Sequence, residues 1–501
     1  MMKKKIFISV ISVLTLALFV SCASAKTKDE VISGDARLVS GDWIALAKMY
    51  PIPDAAGDVV MKEPAPELLG EWWKSMGDDT LTNLIDTALR NNRDLLTARS
   101  KVVQARAALG INKAAILPWL DSTDYWQRAR NSEATSPAAG GSPNNVFHLG
   151  IDASWEIDVF GGKRQTIKAG AAAMEAQYAS LYSTWVSLSA EIASDYISLR
   201  TLQERLAVAE DNLRLQQETY DMLASRVKAG LSDQLALSQS KYTLEQTKAS
   251  IPPIKTSIES TKNALAILVG EIPGGLEEAL KDKKPIPQAN GSVLMGIPAN
   301  MLRQRPDIRA AERNLAAQFA RRKSAQADLW PKFYLSGSIG TESLTTGSLF
   351  EGPNKLYSFG PQITLPIFHW GAIKNNIKVQ TELQRQALDT YESTVLNAVG
   401  EVRNAITASL QERLRNASLK DGLAAAKVAL LVANDKYKTG LTNFDTVINA
   451  QKAVLTLSET YAISNGQITT DAVQLFKALG GGWTPLDAEA AAQAEAAKKK
   501  K

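Results

Sequence analysis

The chain has few of the side chains on which most protein chemistry depends. Its 501 residues include two histidines, His148 and His369, and one cysteine, Cys22. These side chains cannot build a histidine and cysteine metal site of the usual ligand count, and a lone cysteine cannot form an internal disulfide. Most metal and thiol chemistry is therefore excluded before any motif is considered.

The sequence also lacks the motifs that mark a catalytic site. It contains no phosphate-binding glycine-rich loop, no nucleophile elbow and no metal signature. The glycines at 480–482 follow a helical stretch, which indicates a helix stop. Glu156 and Asp158 lie two residues apart in a strand-like stretch, which favours a shared wet face or a position near a barrel rim over an acid and base pair. We predict no enzyme activity and no cofactor.

Proline, glycine and net charge are all modest for a chain of this length. The 19 prolines and 31 glycines cluster in a few places, which indicates very long uninterrupted segments and disfavours a compact multi-domain enzyme. The formal net charge is +5, and three of the positive charges are Lys3, Lys4 and Lys5 at the amino terminus. No nucleic-acid partner is implied.

The amino terminus is typical of an export signal. A basic start is followed by an apolar stretch, 6–20, and then by Cys22 among small residues. The apolar stretch is too short to span a bilayer, so we interpret residues 1–21 as a signal peptide. Bacterial lipoprotein processing attaches acyl chains to a cysteine in this position, although Phe19 stands where leucine is usual. The alternatives are an ordinary cleavage near Ala25 or an unmodified buried thiol.

The two halves of the chain carry the same pattern. Asp94 precedes Pro118 by as many residues as Asp307 precedes Pro331. Further along the chain, Lys228, Gly230 and Leu231 of the first half match Lys438, Gly440 and Leu441 of the second half. We predict an internal twofold repeat in which each copy contains a helix, two strands, a very long helix, a tip and a return helix.

The strands are indicated by strict alternation of apolar and polar residues. It runs from Phe147 to Ile157, from Phe333 to Ile339 and from Tyr357 to Ile367. In a soluble sandwich the apolar face would be the core. Only four strands are expected, however, each about ten residues long, which matches a tilted span of a bilayer. Four strands cannot close a barrel, whereas three chains that contribute four each would make twelve.

The long helices are indicated by apolar residues spaced three and four apart. In the stretch 162–228 this series contains one polar residue, Gln216, and no proline. At about 1.5 Å per residue the helix would be roughly 100 Å long. The stretch 371–438 has similar heptad spacing, so we interpret both as coiled-coil seams. Pro252 and Pro253 are expected to break the first return helix.

Several short segments occur in an order that is specific, although each is weak alone. They are Glu71-Trp72-Trp73, Trp155 to Gly161, Ile251-Pro252-Pro253, Arg305-Pro306-Asp307-Ile308-Arg309, Pro366-Ile367-Phe368 and Ala478 to Trp483. Through these segments, which span nearly the whole mature chain, the sequence resembles the TolC-like outer-membrane channels of tripartite efflux pumps. The resemblance is to the lipoprotein branch that serves resistance-nodulation-division (RND) transporters.

The resemblance implies an α+β membrane protein. Its fold would be a homotrimer with a twelve-stranded outer-membrane β-barrel and a periplasmic coiled-coil tunnel that tapers shut at its inner end. The implied partners are a periplasmic membrane-fusion adaptor, an inner-membrane RND-type transporter and outer-membrane lipid. The implied location is the outer membrane of a Gram-negative bacterium, with a lipid anchor and a large periplasmic portion.

The expected function is a passive exit duct for drugs or other small molecules. A duct for type I protein secretion is the alternative with the same fold, and a non-conducting envelope protein is the alternative from another class. We divide the chain into a signal peptide (1–21), an amino-terminal periplasmic or equatorial segment (22–70), two structural repeats (71–285 and 286–484) and a disordered tail (485–501).

The gate is expected where the helix pairs turn, at Gly230 and Gly440. Leu231 and Leu441 follow these glycines, and the tips they form are expected to dock the adaptor. Threefold symmetry would turn any pore-facing side chain at the tips into a ring of three.

Asp445 and Asp233 are the candidate acids for this ring. The alternative for both is a solvated acid near the positive end of a helix. The resemblance favours Asp445, since family members carry an acid in that helix, whereas many have a second aspartate where this chain has Asn449. Arg226 and Lys438 are the candidate counter-charges that hold the tips together.

Overall fold

The computed structural model describes residues 70–134, 141–288 and 304–483. The predicted leader, Cys22 and the tail from residue 485 lie outside the described residues. The described part is mostly helical and contains four strands. None of the helices in these three ranges combines the length and the apolar character needed to cross a membrane.

The order helix, strand, strand, long helix and helix occurs twice. A short 3-10 helix, Trp72–Met76, and α1, Asp79–Asn91, come first. The first set comprises α2 (Arg93–Ala114), β1 (Trp119–Ala129), β2 (Asn144–Ile157), α3 (Gly162–Lys228) and α4 (Gln234–Val269). A single turn, α5 (Glu277–Leu280), lies before the second set, which comprises α6 (Pro306–Ala327), β3 (Lys332–Ser343), β4 (Lys355–Thr364), α7 (Ala372–Lys438) and α8 (Phe444–Ala478).

The two long helices begin and end where the apolar spacing predicts. α3 and α7 each have 67 residues, and each follows a glycine in the left-handed conformation, Gly161 and Gly371. Each also ends just before a second left-handed glycine, Gly230 or Gly440. Glycine adopts this conformation without the steric cost that a Cβ imposes, so the four glycines mark the limits of the two helices.

The prediction that Pro252 and Pro253 break the return helix is wrong. α4 runs through both prolines as one helix of 36 residues. The prolines lie on its exposed face between buried Ile251 and Ile254, so the packing of the apolar face against α3 holds the helix together. The carbonyl groups that lose an N–H donor lie one turn earlier at exposed residues, where water can hydrate them.

The four strands form one antiparallel sheet in chain order. Ile151 of β2 lies opposite Ile339 of β3, and the next pair along the ladder is Asp152 and Ser338. Successive residues point to opposite faces, so the sheet has one apolar and one polar face, as the alternation predicts. β1 and β4 each keep one edge that pairs with no described strand.

β4 is shorter than predicted. It ends at Thr364 instead of Ile367, because its last residue pairs with Lys332, where β3 begins. Pro331 precedes Lys332 and separates β3 from α6. Beyond Thr364 the chain therefore has no strand on that side with which to pair.

The main core lies where the 3-10 helix, α1 and the middle of α3 meet the end of α8. Trp72 stacks on Phe476 with ring centroids 5.1 Å apart, and Trp73 meets Trp72 edge-on at 5.7 Å. Both indoles are buried. These aromatic contacts join the first described residues of the chain to the last helix.

A buried polar network crosses this core. The Arg200 guanidinium lies 4.7 Å above the Tyr196 ring and donates to Gln203 (2.8 Å) and to the carbonyl of Asp282 (2.6 Å). The Tyr196 hydroxyl donates to Asp78 at 2.7 Å. Burial and, next in size, this hydrogen bond raise the pKa of Tyr196 to about 12, so the hydroxyl stays a donor throughout the physiological range.

Candidate channel tip and gate

The long helices end in two closely similar turns. Gly230 and Gly440 have φ angles of 72° and 75°. In both turns the N–H of the following leucine, Leu231 or Leu441, donates at 2.8 Å to a carbonyl in the last turn of the helix. This is the Schellman arrangement that satisfies the terminal carbonyl groups of a helix. We call the helix pairs α3–α4 and α7–α8 the first and second hairpin. The structure thus places the predicted tips at the turns of these two hairpins.

Each tip presents an apolar side chain to solvent. Leu231 is 68% exposed and Leu441 is 76% exposed. Neither leucine belongs to the apolar cluster that joins the helix ends beneath them. Both are therefore available to an apolar surface of another protein.

The two candidate acids have different environments. The Asp233 carboxylate caps α4 by accepting from the N–H of Ala236 at 2.7 Å. Asp445 lies exposed in the first turn of α8, whose N-cap residue Asn443 makes no side-chain cap bond. Asn449 is exposed one turn further along α8. The structure therefore puts Asp445 and Asn449 on one helix face and gives Asp233 a capping role.

Tyr437 joins the two hairpins at the tip. The Arg226 guanidinium lies 5.2 Å above its ring, and the ring of Phe444, at the start of α8 in the same hairpin as Tyr437, lies 5.2 Å away. The Tyr437 hydroxyl is 3.4 Å from the hydroxyl of Ser232, which belongs to the first turn. Arg226 and Ser232 thus both reach across from the first hairpin to one side chain of the second.

An apolar cluster supports these contacts. Its buried members come from the ends of all four tip helices, and we call it the tip cluster. They are Leu223, Ala236, Ala433, Phe444, Val447 and Ile448. Because α8 contributes half of these residues, the second hairpin supplies most of the apolar surface that holds the tip together.

The candidate counter-charges form no ion pair in the described part of the chain. The Arg226 Nε atom is buried and has no hydrogen-bond partner among the described residues. The guanidinium instead lies over the ring of Tyr437. Lys438 is exposed at the end of α7. The structure brings Arg226 to the junction of the hairpins and leaves Lys438 outside it.

Tyr437 was not among the predicted site residues. Matching the two turn sequences from the tip glycines places Val227 in the first turn where Tyr437 stands in the second. An aromatic residue at one of two otherwise similar turns is the signal that could have found it.

Glu156 and Asp158 lie at the junction of sheet and helix. Glu156 forms an ion pair with Lys163 at 3.1 Å. Asp158 accepts from the N–H groups of Lys163 (3.2 Å) and Arg164 (2.8 Å) and pairs with the Arg164 guanidinium at 3.2 Å. Both carboxylates thus hold the start of α3 against the end of β2.

The predicted helix stop after α8 is confirmed. Gly480 has a φ angle of 73°, and the N–H of Gly481 donates to the carbonyl of Phe476 at 2.9 Å.

In the three described ranges, no group of three or more histidine, cysteine, aspartate or glutamate side chains could hold a metal ion.

Comparison with known proteins agrees with this architecture. A model of the outer membrane efflux protein family matches residues 84–271 and 297–481. The solvent efflux pump outer membrane protein SrpC of Pseudomonas putida is 32% identical over 415 residues, which cover 81% of this chain and 86% of that protein.

Solved structures give the same result. The outer-membrane channel OprN has a TM-score of 0.81 and 30% identity, covering 87% of this chain and 99% of that one. The outer membrane protein VceC of Vibrio cholerae has a TM-score of 0.78 and 25% identity, covering 84% of this chain and 100% of that one. The family match takes in most of both halves of the sequence. This chain belongs to the outer membrane efflux protein family.

Proposed function

We propose that the protein is the outer-membrane exit duct of a tripartite efflux pump and passively conducts drugs or other small molecules to the exterior. The observation that carries the proposal is the combination, in one chain of this family, of a sheet with one apolar face and two helices of 67 residues. The sheet suits a lipid boundary, and each helix would extend roughly 100 Å into the periplasm.

The proposed channel is a homotrimer. The open edges of β1 and β4 would leave backbone N–H and C=O groups unpaired in the bilayer, where each such group costs several kcal/mol. Pairing the edges of three chains gives a closed twelve-stranded barrel with its apolar face toward lipid and its polar face toward the lumen. The long helices of the three chains would then surround a periplasmic tunnel.

The exposed tips support docking to a periplasmic membrane-fusion adaptor. Leu231 and Leu441 offer apolar contacts beside Gly230 and Gly440, and the adaptor would link the duct to an inner-membrane RND-type transporter. Acylation of Cys22 would add a lipid anchor to the outer membrane, and the anchor's affinity would grow with each buried methylene.

We assign the gate to the same tips. Asp445 and Asn449 would face the pore axis and form rings of three, while Arg226, through its contact with Tyr437, would restrain the tips in the closed state. Lys438, which is exposed and lies outside this junction, would act only as a positive charge near the ring. Three carboxylates around a narrow pore repel one another, so a restraint of this kind is needed. Asp233, once a candidate for the ring, is assigned to capping α4 because its carboxylate already accepts from a backbone N–H.

Dye accumulation in cells tests the proposed duct. A strain that lacks the chain but keeps its adaptor and transporter should accumulate a fluorescent efflux dye, and the wild-type chain should lower that accumulation. The double variant Leu231→Asp, Leu441→Asp should reach the outer membrane in equal amount and fail to lower it. Secretion of a protein cargo by the wild-type chain with no change in dye accumulation would overturn the proposal.

Acyl labelling tests the proposed anchor. The Cys22→Ala variant should still be exported but lose labelling by radioactive palmitate, because the chain has one cysteine. We expect the trimer still to insert, since the barrel supplies far more apolar surface than the acyl chains. Labelling at the wild-type level in this variant would exclude Cys22 as the site.

A further inference from the structure

The four helices that adjoin the sheet carry charge of one sign at their sheet ends. The ten residues nearest the sheet lie at the ends of α2 and α6 and at the starts of α3 and α7. These stretches contain ten lysines and arginines and no aspartate or glutamate; they are 105–114, 162–171, 318–327 and 372–381. The tip ends of α3 and α7 contain both signs, since Asp221 and Asp435 lie among their basic residues. The one-sided excess of positive charge therefore belongs to the sheet end of the helices.

Five of the ten basic side chains are engaged within the chain. Lys163 and Arg164 pair with the nearest acids of the sheet end, Glu156 and Asp158, at 3.1 Å and 3.2 Å. The other three are arginines that donate to neutral side chains: Arg106 to the hydroxyl of Tyr178, Arg321 to Gln318 at 3.2 Å and Arg322 to Gln384 at 3.0 Å. These contacts leave five basic side chains of the sheet end without a polar partner of this kind.

The remaining five are lysines with exposed side chains, and we call them the sheet-end lysines. They are Lys113, Lys168, Lys323, Lys374 and Lys378. None of them forms an ion pair with a described residue, and Asp328, a further acid at the sheet end, pairs with Lys332 at 3.0 Å. At about 1.5 Å per residue, each lysine lies within about 10 Å of the end of its helix. Their charges are therefore available to a partner outside the chain.

An aromatic group marks the side of the chain that bears the apolar face of the sheet. Phe333 of β3 lies on that face, opposite Ile157 of β2. The ring centroid of Phe160 lies 6.4 Å from that of Phe333 and 5.2 Å from that of Trp330. Trp330 is 43% exposed and ends the turn that follows α6. The apolar side of the sheet thus continues onto α6 through Trp330.

Lys323 lies on the same side of α6. It comes seven residues before Trp330 and four after Phe319, which puts the three side chains on one face of the helix. Its Nζ lies 4.6 Å from the centroid of the exposed Phe319 ring. α2 and α6 each have 22 residues, and by position Lys113 matches Gln326, which lies between Lys323 and Trp330 on this face. Lys113 therefore lies on the equivalent face of α2.

The lysines of the long helices occupy equivalent positions in the two halves. The guanidinium of Arg164 donates at 3.4 Å to the carbonyl group that precedes Phe160, and Lys168 lies one turn further along α3. α3 and α7 each have 67 residues, so Lys374 and Lys378 match Arg164 and Lys168. Residues four apart share a helix face, so each long helix carries two positive charges on the same face at its sheet end.

Exposed aromatic side chains lie between the strands and these lysines. Trp370, between β4 and α7, is 87% exposed and contacts Phe368 edge-on, with ring centroids 4.8 Å apart. Trp330 has the equivalent place between α6 and β3. Tryptophan is enriched at the boundary between hydrocarbon and water, and a lysine beside it can lay its stem on apolar surface and keep its ammonium group in water. The order apolar strand, tryptophan, lysine is thus the order met on leaving a bilayer core through its headgroups.

We infer that the sheet-end lysines bind the anionic headgroups of phospholipids in the periplasmic leaflet of the outer membrane. The inference rests on the proposed duct, in which the sheet lies in that membrane and three chains each contribute these lysines. Lysines beside a bilayer attract acidic lipid over about a Debye length, roughly 8 Å at physiological salt. Phosphatidylglycerol has no amine to cancel its phosphate charge, whereas phosphatidylethanolamine is zwitterionic. The lysines should therefore select the former from a mixed leaflet and hold the helix ends at the membrane surface.

The lipid retained by the protein tests the inference. The full chain is reconstituted in vesicles of phosphatidylethanolamine with a minor fraction of phosphatidylglycerol and released in styrene–maleic acid copolymer discs, which keep the lipid nearest the protein. Mass spectrometry then gives the phosphatidylglycerol fraction of the discs. With the wild-type chain this fraction should be several-fold above that of the vesicles. It should fall toward the vesicle value in 1 M salt, where the Debye length is about 3 Å.

Three variants with five substitutions each locate the effect. Glutamine in place of all five sheet-end lysines should remove the enrichment, whereas arginine in the same places should keep it, because arginine keeps the charge. The matched control places glutamine at five exposed lysines that lie about 70 Å or more from the sheet along the helices. They are Lys241, Lys248, Lys420, Lys427 and Lys436. This control removes the same charge and should retain the wild-type enrichment.

The outcomes separate lipid binding from the duct. Enrichment that survives in the glutamine variant, or in the wild-type chain at 1 M salt, would overturn the inference. Because the salt comparison uses the wild-type chain, it decides the question even where the glutamine variant fails to fold. Wild-type enrichment in the glutamine variant together with an altered reversal potential in neutral bilayers would place the lysines in the pore instead.

Two results with the wild-type chain distinguish the levels of the argument. Insertion into vesicles without excess phosphatidylglycerol in the discs would overturn the lipid binding and leave the proposed duct in place. Failure to insert into vesicles would overturn the duct itself, and the lipid binding with it.

Discussion

The two hairpin tips have nearly the same backbone and different side-chain partners. Both turns contain a left-handed glycine followed by an exposed leucine, and both use the same backbone hydrogen bonds. The first turn has Val227 where the second has Tyr437, and α4 is capped by Asp233 whereas α8 has no side-chain cap bond. Two similar backbone turns therefore hold different side-chain contacts.

The difference shows where the restraint between the hairpins lies. The first hairpin contributes a cation, Arg226, and the hydroxyl of Ser232, whereas the second contributes the aromatic ring that both of them reach. The exposed acids, by contrast, do not hold the hairpins together. Tyr437, Arg226 and Ser232 therefore join the two hairpins, whereas the exposed acids contribute charge at the tips.

Removing the ring should have the largest effect on opening. Tyr437→Ala removes the stacking with Arg226 and the contact with Phe444, which together are worth about 1–2 kcal/mol per chain. We expect a higher single-channel conductance in planar bilayers. Val227→Ala, at the matched position of the first turn, should leave the conductance near the wild-type value. Equal conductance of Tyr437→Ala and wild type would place the restraint elsewhere.

Removing the cations should have a smaller effect in the same direction. Arg226→Ala loses one cation–π contact, worth about 0.5–1 kcal/mol, and should raise the conductance less than Tyr437→Ala does. Lys438→Ala should also raise it, and its effect should fade in high salt because exposed charges are screened. Lys436→Ala, which matches Arg226 by position and is exposed, is the control. An effect of Lys436→Ala as large as that of Arg226→Ala would argue against the stacking.

The acids should change selectivity and not opening. Asp445→Ala should reduce cation preference and block by multivalent cations, because in the proposed homotrimer it would remove three negative charges from the proposed gate. Asp233→Ala should instead cost about 1 kcal/mol of helix stability through the lost cap and leave selectivity unchanged. Reversal potentials in a salt gradient measure the ion selectivity of both variants. If Asp445→Ala changes neither selectivity nor block, the gate ring lies elsewhere, and Asn449 is the next residue to vary.

Local patterns predicted the parts of the fold that depend on periodicity. The bounds of α3 and the faces of β2 and β3 follow from apolar spacing and from glycine turns, both of which are written in neighbouring residues. The course of α4 through Pro252 and Pro253 could not be predicted in this way, because it depends on packing against α3. β4 ends early because of where its partner β3 starts.

The positions of the two turns were predicted from the sequence, whereas the contacts of the side chains around them were not. The tip glycines and the exposed place of Asp445 follow from the turn sequences. Tyr437 was missed because its importance comes from Arg226, which lies in the other half of the chain. Asp233 had two possible roles in the sequence, and its contact with the Ala236 N–H, which favours the capping role, is visible only in the structure.

The return helices α4 and α8 also differ at a position far from the tips, and this difference should appear as a pH dependence of stability. Asp471 of α8 is 6% exposed, whereas the matched residue of α4 is Thr261. Burial raises the pKa of Asp471, the charge of Glu412 acts in the same direction, and the hydrogen bond from Gln467 opposes them.

A raised pKa means that the folded state holds this proton more tightly than the unfolded state does. The ionised carboxylate therefore lowers stability at neutral pH. This cost disappears as the pH falls from the pKa of Asp471 in the folded state toward the ordinary pKa of an aspartate. Asp471→Asn keeps an acceptor for Gln467 and removes the charge. Its unfolding midpoint by circular dichroism should lie above that of wild type at pH 8, and the two should converge at acid pH. Thr261→Val, at the matched position of α4, should show no such convergence. A difference between Asp471→Asn and wild type that is constant from pH 8 to pH 4 would mean that packing, and not the buried charge, sets the stability at this position.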